Sequence, residues 1–90
     1  MTEIKKVLKK STSKKTEKPR LLVLHNDNHN TFDHVIKSLI EICDHDIVQA
    51  EQCAYIVHFN GKCDVKKGSY KSLTTLKDLL ILKKLSVTIE

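Results

Sequence analysis

Four apolar residues in a row, Leu21-Leu22-Val23-Leu24, are cut off by His25-Asn26-Asp27. A short unbroken apolar run bounded by turn residues reads as a strand covered on both faces. Asn26 and Asp27 are a polar pair with turn character, so the strand stops there. Asn28-His29-Asn30 comes next, and then a run with helical spacing. Asn30 can cap that helix, and Asp33 three residues on suits its positive N-terminal end. A rigid strand thus delivers two acceptor-rich side chains, Asn26 and Asp27, to the lip of a helix. That placement suits a cation or a group with several donors.

The rest of the chain sorts into elements around this strand, which itself covers residues 20–26. Phe32, Val35, Ile36, Leu39, Ile40 and Cys43 recur at helical spacing and predict a helix over 31–43. Asp44-His45 is a break, and Asp46 caps a second helix that runs to about residue 60. Its inner stripe is Ile47, Ala50, Cys53, Ala54 and Val57, and Gly61 ends it as a C-terminal glycine does. Residues 62–67 read as a short strand with Cys63 and Val65 on one face. Gly68-Ser69 turns, and Ser72 caps a third helix through Leu73, Leu76, Leu79, Leu80 and Leu82. The alternation Leu85-Ser86-Val87-Thr88-Ile89 is a half-buried strand. The order is β-α-α-β-α-β without internal repeats. It predicts an α+β fold of two layers, with helices on a small, mostly antiparallel three-stranded sheet.

A chain of 90 residues is one small domain with a modest core. Its net charge of +5 is unevenly spread. Residues 1–20 hold eight basic residues against Glu3 and Glu17, whereas residues 21–90 hold eight basic and nine acidic ones. The excess therefore sits in residues 1–19, a Lys/Ser/Thr-rich stretch ending at Pro19, expected to be a flexible tail on a nearly neutral domain over 20–90. Thr2-Glu3-Ile4-Lys5-Lys6-Val7-Leu8 has the spacing for a turn or two of helix against a partner; in the free protein a solvated leader is expected. Nucleic-acid binders place their charge on the fold itself, and Phe32, Tyr55, Phe59 and Tyr70 are too sparse for a base-stacking platform. No window of about 20 apolar residues exists to span a membrane, and the start lacks the apolar core of a secretory signal. Cys43, Cys53 and Cys63 are odd in number and widely spaced, as in reduced, partly buried thiols of a cytosolic protein.

His58 is the third polar residue that could carry chemistry, at the end of the second helix. Its plainer interpretation is a partly buried histidine satisfied by a backbone carbonyl; a functional one requires Asn26 and Asp27 nearby. Zinc is disfavoured because the cysteines are ten residues apart, unlike paired ligands, although His25, His29 and His34 are spaced by four and five. Cys53 and His58 are the nearest thiol–imidazole pair, but five residues on one helix turn them about 140° apart. No orienting acid or oxyanion site accompanies them. A binding module is expected, not an enzyme, with no cofactor and no metal.

Leu24-His25-Asn26-Asp27, the helix with Val35-Ile36 and Leu39, the segment from Ala50 and Gln52 to Val57-His58 and Gly61-Lys62, and the closing Leu85 with Val87-Thr88-Ile89-Glu90 together resemble the ClpS family. These are adaptors of the bacterial Clp protease that read N-terminal degradation signals. The resemblance covers residues 20–90, with a gap in the third helix. It implies that Asn26, Asp27 and His58 bind the N-terminal amine and that the pocket for the first side chain falls near Phe32, Val35, Ala54 and Leu85. Ordinary core packing is the competing role for Val35 and Leu85. The chemistry is coherent: a protonated α-amine offers three donors and one charge, and an amide oxygen, a carboxylate and a neutral imidazole nitrogen match it. The implied ligands are proteins beginning with Leu, Phe, Tyr or Trp, the implied partner is a Clp-type AAA+ unfoldase, and the implied location is the bacterial cytoplasm.

The chain departs from that family in three places. His29-Asn30-Thr31 replaces an aromatic-Thr-Pro, though Asn30 keeps a capping residue there. Phe32 and Ala54 stand where methionine is common, which gives a bulkier gate and a smaller wall. The third helix lacks a Glu-Thr-Lys segment used in docking. The same element order recurs in the C-terminal domain of a ribosomal stalk protein, so an assembly module is the alternative, with a basic-tailed RNA-associated protein third.

Overall fold

The computed structural model describes residues 18–90, so residues 1–17 of the expected tail lie outside the described residues. The elements are β1 (Arg20–His25), α1 (Phe32–Cys43), α2 (Ile47–Asn60), β2 (Lys62–Gly68), α3 (Tyr70–Leu82) and β3 (Ser86–Ile89). This is the expected β-α-α-β-α-β order. The three strands form one sheet in the order β2-β1-β3, and both pairings are antiparallel.

β1 is central because it is the most apolar strand. Leu22 and Leu24 point into the core, where Leu24 lies opposite Cys63 on one side and Val87 on the other. Alternation puts Cys63 and Val65 of β2 on that same face. Leu39 and Cys43 of α1, Ala50, Cys53 and Val57 of α2, and Leu73 and Leu80 of α3 close the core from the helical layer. Each fully buried leucine contributes about 1.5–3 kcal/mol. The expectation that β1 is covered on both faces holds only in part: Val23 is buried, but Leu21 is exposed.

Several local expectations are corrected. The α1 cap is Thr31, whose side chain accepts from the His34 N–H, and not Asn30. The α3 cap is Ser69, so that helix begins at Tyr70, ahead of the expected Ser72. Ile47, expected on the inner stripe of α2, is exposed. Asp46 caps α2 and Gly61 ends it at φ 96°, as expected.

Two side chains fasten the α1–α2 turn to β2. The buried His45 bonds through Nε2 to the Val65 carbonyl at 2.7 Å, and Lys66 Nζ donates to the Cys43 carbonyl at 3.2 Å. Val65 is an extra residue in the ladder: Asp64 pairs with Val23 and Lys66 with Leu22. Its carbonyl is satisfied by a histidine. Among the described residues no helix is long and apolar enough to cross a membrane.

Candidate functional site

The end of β1 and the end of α2 are joined by one backbone bond. The Asn26 N–H donates to the Gly61 carbonyl at 2.8 Å. Gly61 can take its left-handed conformation without a side-chain penalty, so α2 turns directly back towards the sheet. This brings His58, in the last turn of α2, to the point where β1 releases the chain.

Asp27 organises the loop between β1 and α1. Its Oδ1 accepts from the His29 N–H at 2.9 Å and from the Asn30 N–H and Nδ2 at 3.1 Å each. Its Oδ2 accepts from Asn30 Nδ2 at 2.8 Å and from Ser86 Oγ at 3.5 Å. Partial burial works to raise the pKa of this carboxyl. The hydrogen bonds from His29 and Asn30 outweigh it, and the net effect holds the group below its ordinary value of 3.8. Asn30 also donates to the Lys84 carbonyl at 3.0 Å, and His34 Nε2 bonds the Lys83 carbonyl at 2.7 Å. The loop before α1 is thereby tied to the turn after α3, which seats Leu85.

These connections enclose a cavity of about 240 Å³. Its walls are Leu24, Phe32, Val35, Ala54, Val57 and Leu85, and its rim is His25, Asn26, Asp27, Asn28, Asn30, Thr31 and His58. All seven residues singled out in the sequence, Asn26, Asp27, His58, Phe32, Val35, Ala54 and Leu85, therefore border one cavity. Val57 was missed as a wall, although it lies three residues after Ala54 on the same helical stripe. Asn30 was read as a cap and is instead the brace of the rim.

The rim is chemically lopsided. Among the described residues, Asp27 is its single carboxylate and no lysine or arginine lines the cavity. Among the described residues, no hydrogen bond engages the side chain of Asn26 or the ring of His58, and both residues are exposed. The partly buried, carbonyl-satisfied histidine considered for His58 is not what the structure holds. Its ring instead packs against Phe32, with centroids 5.2 Å apart. The lining is chemically suited to a compact apolar group with a cationic, donor-rich head. Ligand cavities for cofactor-sized molecules start near 300 Å³, so this one suits a single side chain.

The other constellations do not assemble. His25 bonds Thr88 Oγ1 at 2.7 Å and His34 bonds a backbone carbonyl. Among the described residues there is no group of three or more His, Cys, Asp or Glu able to hold a metal. Cys43, Cys53 and Cys63 are free and buried. Burial, and the adjacent Cys63 thiol at 3.5 Å, push the Cys53 pKa up to about 12, the opposite of an activated nucleophile.

The sequence model of the family described as ATP-dependent Clp protease adaptor protein ClpS matches residues 14–87. The chain belongs to the ClpS family. Among solved structures, that of Agrobacterium tumefaciens ClpS2 bound to L-phenylalaninamide matches with a TM-score of 0.75. Identity is 20%, over 81% of this chain and 95% of that one, so this likeness speaks for the ClpS fold. No curated protein sequence matches the chain.

Proposed function

We propose that the cavity holds the free N-terminus of a protein whose first residue is bulky and apolar, and that this ClpS-family member presents such proteins to a Clp-type AAA+ unfoldase. The lone carboxylate, flanked by the uncommitted Asn26 and His58 on the rim of an apolar cavity, carries this reading. In it, Asp27 supplies the countercharge. Each carboxylate oxygen has about two lone-pair sites; on Oδ2 Asn30 takes one at 2.8 Å, and the Ser86 contact at 3.5 Å is long enough for an ammonium to displace it. Asn26 and His58 accept the remaining ammonium hydrogens. Phe32, Val35, Ala54 and Leu85 enclose the side chain. The relative's ligand has the two features required: L-phenylalaninamide combines a free α-amine with a benzyl group.

Leu, Phe, Tyr and Trp are the first residues proposed to bind. The role is one of binding and transfer, in the bacterial cytoplasm, without catalysis, cofactor or nucleic acid. Residues 1–19 act in delivery and not in recognition.

The test is a titration with two Leu-initiated peptides that differ only in N-terminal acetylation. A hydrogen bond to a charged group is worth roughly 1.5–3 kcal/mol, so acetylation should weaken binding at least about tenfold. Equal affinity for the two peptides would reject the amine site and leave the assembly-module alternative.

A further inference from the structure

The mouth of the cavity continues onto a surface that the amine site does not use. Phe59 is 73% exposed and Tyr55 57% exposed, both on the outward side of α2. Their rings lie parallel, 4° apart in plane, with centroids separated by 6.2 Å. Phe32 joins them, 5.1 Å from Tyr55. A helix whose inner face already fills the core has no packing reason to carry aromatic rings on its outer face. Here they form a shelf, not scattered single residues.

The shelf is continuous with the cavity through two shared residues. Phe32 is both a cavity wall and the inner ring of the shelf. His58, on the polar rim, lies between Phe32 at 5.2 Å and Phe59 at 4.8 Å, meeting the latter edge-on at 86°. A chain whose first residue fills the cavity leaves across its rim, and the His58 side of that rim opens onto the shelf. An extended chain advances about 3.3 Å per residue, so its second and third residues fall within reach of rings spaced 5–6 Å apart. None of the three rings is charged. They match apolar or aromatic side chains.

Resting on the reading of the cavity as an N-terminus site, we propose that Tyr55 and Phe59, together with Phe32, are a second contact surface that selects an aromatic or large apolar side chain at position two or three of the bound chain. Recognition then extends past the first residue: two proteins with the same N-terminal residue are sorted by their second and third residues.

The experiment uses the full chain and two free-amine peptides, Phe-Trp-Leu-Gly-Lys and Phe-Gly-Ser-Gly-Lys. Wild type should bind the first about tenfold more tightly, the value of covering one apolar side chain. In the double variant Tyr55→Gln/Phe59→Gln that preference should vanish, while affinity for the second peptide is retained. Retained affinity also shows that the variant is folded. A preference that survives in the double variant, or is missing in wild type, overturns the shelf while leaving the amine site standing. Failure of both peptides to bind wild type overturns the amine site and the shelf with it. A wild-type dimer in sedimentation that the double variant dissolves, with the peptide preference unmoved, would make the shelf a self-association face instead.

Discussion

On Asp27 one oxygen, Oδ1, is taken up by the His29 and Asn30 N–H groups and the Asn30 amide, while Oδ2 faces Asn30 and, more distantly, Ser86. The same charge that orders the loop is proposed to attract the ligand. Asp27→Asn removes it at nearly constant volume and should weaken binding of a Leu-initiated peptide at least about tenfold. The pH dependence has a definite sign. Hydrogen bonding depresses the folded-state pKa below 3.8, so the carboxylate's contribution to stability is present above the unfolded value and is lost as pH falls through the folded one. Urea unfolding of wild type and Asp27→Asn should therefore differ at pH 7 and converge well below pH 3.8. A gap that persists in strong acid would remove the charge from the explanation. That Asn26, Asp27 and His58 come together at one cavity was expected from the family resemblance, and the strand end and helix end that place them could be read from the sequence. The function of Asn30 could not. Asn30 and Thr31 both have capping side chains, and only the fold shows that the Asn30 amide, with its two donors, is spent on Asp27 and the Lys84 carbonyl.

Helix α2 links the core, the cavity and the aromatic shelf, and its two ends set their positions. Both ends were legible, since Asp46 and Gly61 are strong and unambiguous signals. The start of α3 was less so: Ser69 and Ser72 compete for one cap, and Ser72 ends up bonding back to the Ser69 carbonyl at 3.1 Å. The outward rings of α2 were also hidden, because periodicity finds an apolar stripe but gives no reason for a second one. Gly61 is the element's most sensitive point. A Cβ there would meet nothing within 4 Å, so the penalty of Gly61→Ala is purely conformational, at φ 96°. It should cost about 1–2 kcal/mol of unfolding free energy. Because the Gly61 carbonyl also holds the Asn26 N–H, peptide affinity should fall together with stability. Denaturant unfolding and one peptide titration on the same variant check both; a variant as stable as wild type would show that the helix end relaxes at no cost.

At the scale of the whole molecule, the core cluster and its partly buried periphery, among the described residues, run from Leu22 to Ile89. Deleting residues 1–18 should leave the melting temperature and peptide affinity nearly unchanged, yet abolish delivery of a Leu-initiated substrate to the partner protease. A binding titration and a degradation assay on the truncated protein test this, and full degradation would reduce the tail to a solvated leader. The architecture was legible because each strand and helix has its own period. The topology added by the fold is that β1 is central, which, among the described residues, leaves β2 and β3 as edges. Open edges are templates for strand addition, and the proposed role would expose the protein to that hazard. β3 is only four residues long. β2 carries Lys62, Lys66 and Lys67, is interrupted at Val65, and has that residue's carbonyl occupied by His45. Both borders are thus poor templates for cross-β growth. In the proposed role, a client gripped by its first residues would not have its middle zipped onto these edges, so capture would stay reversible.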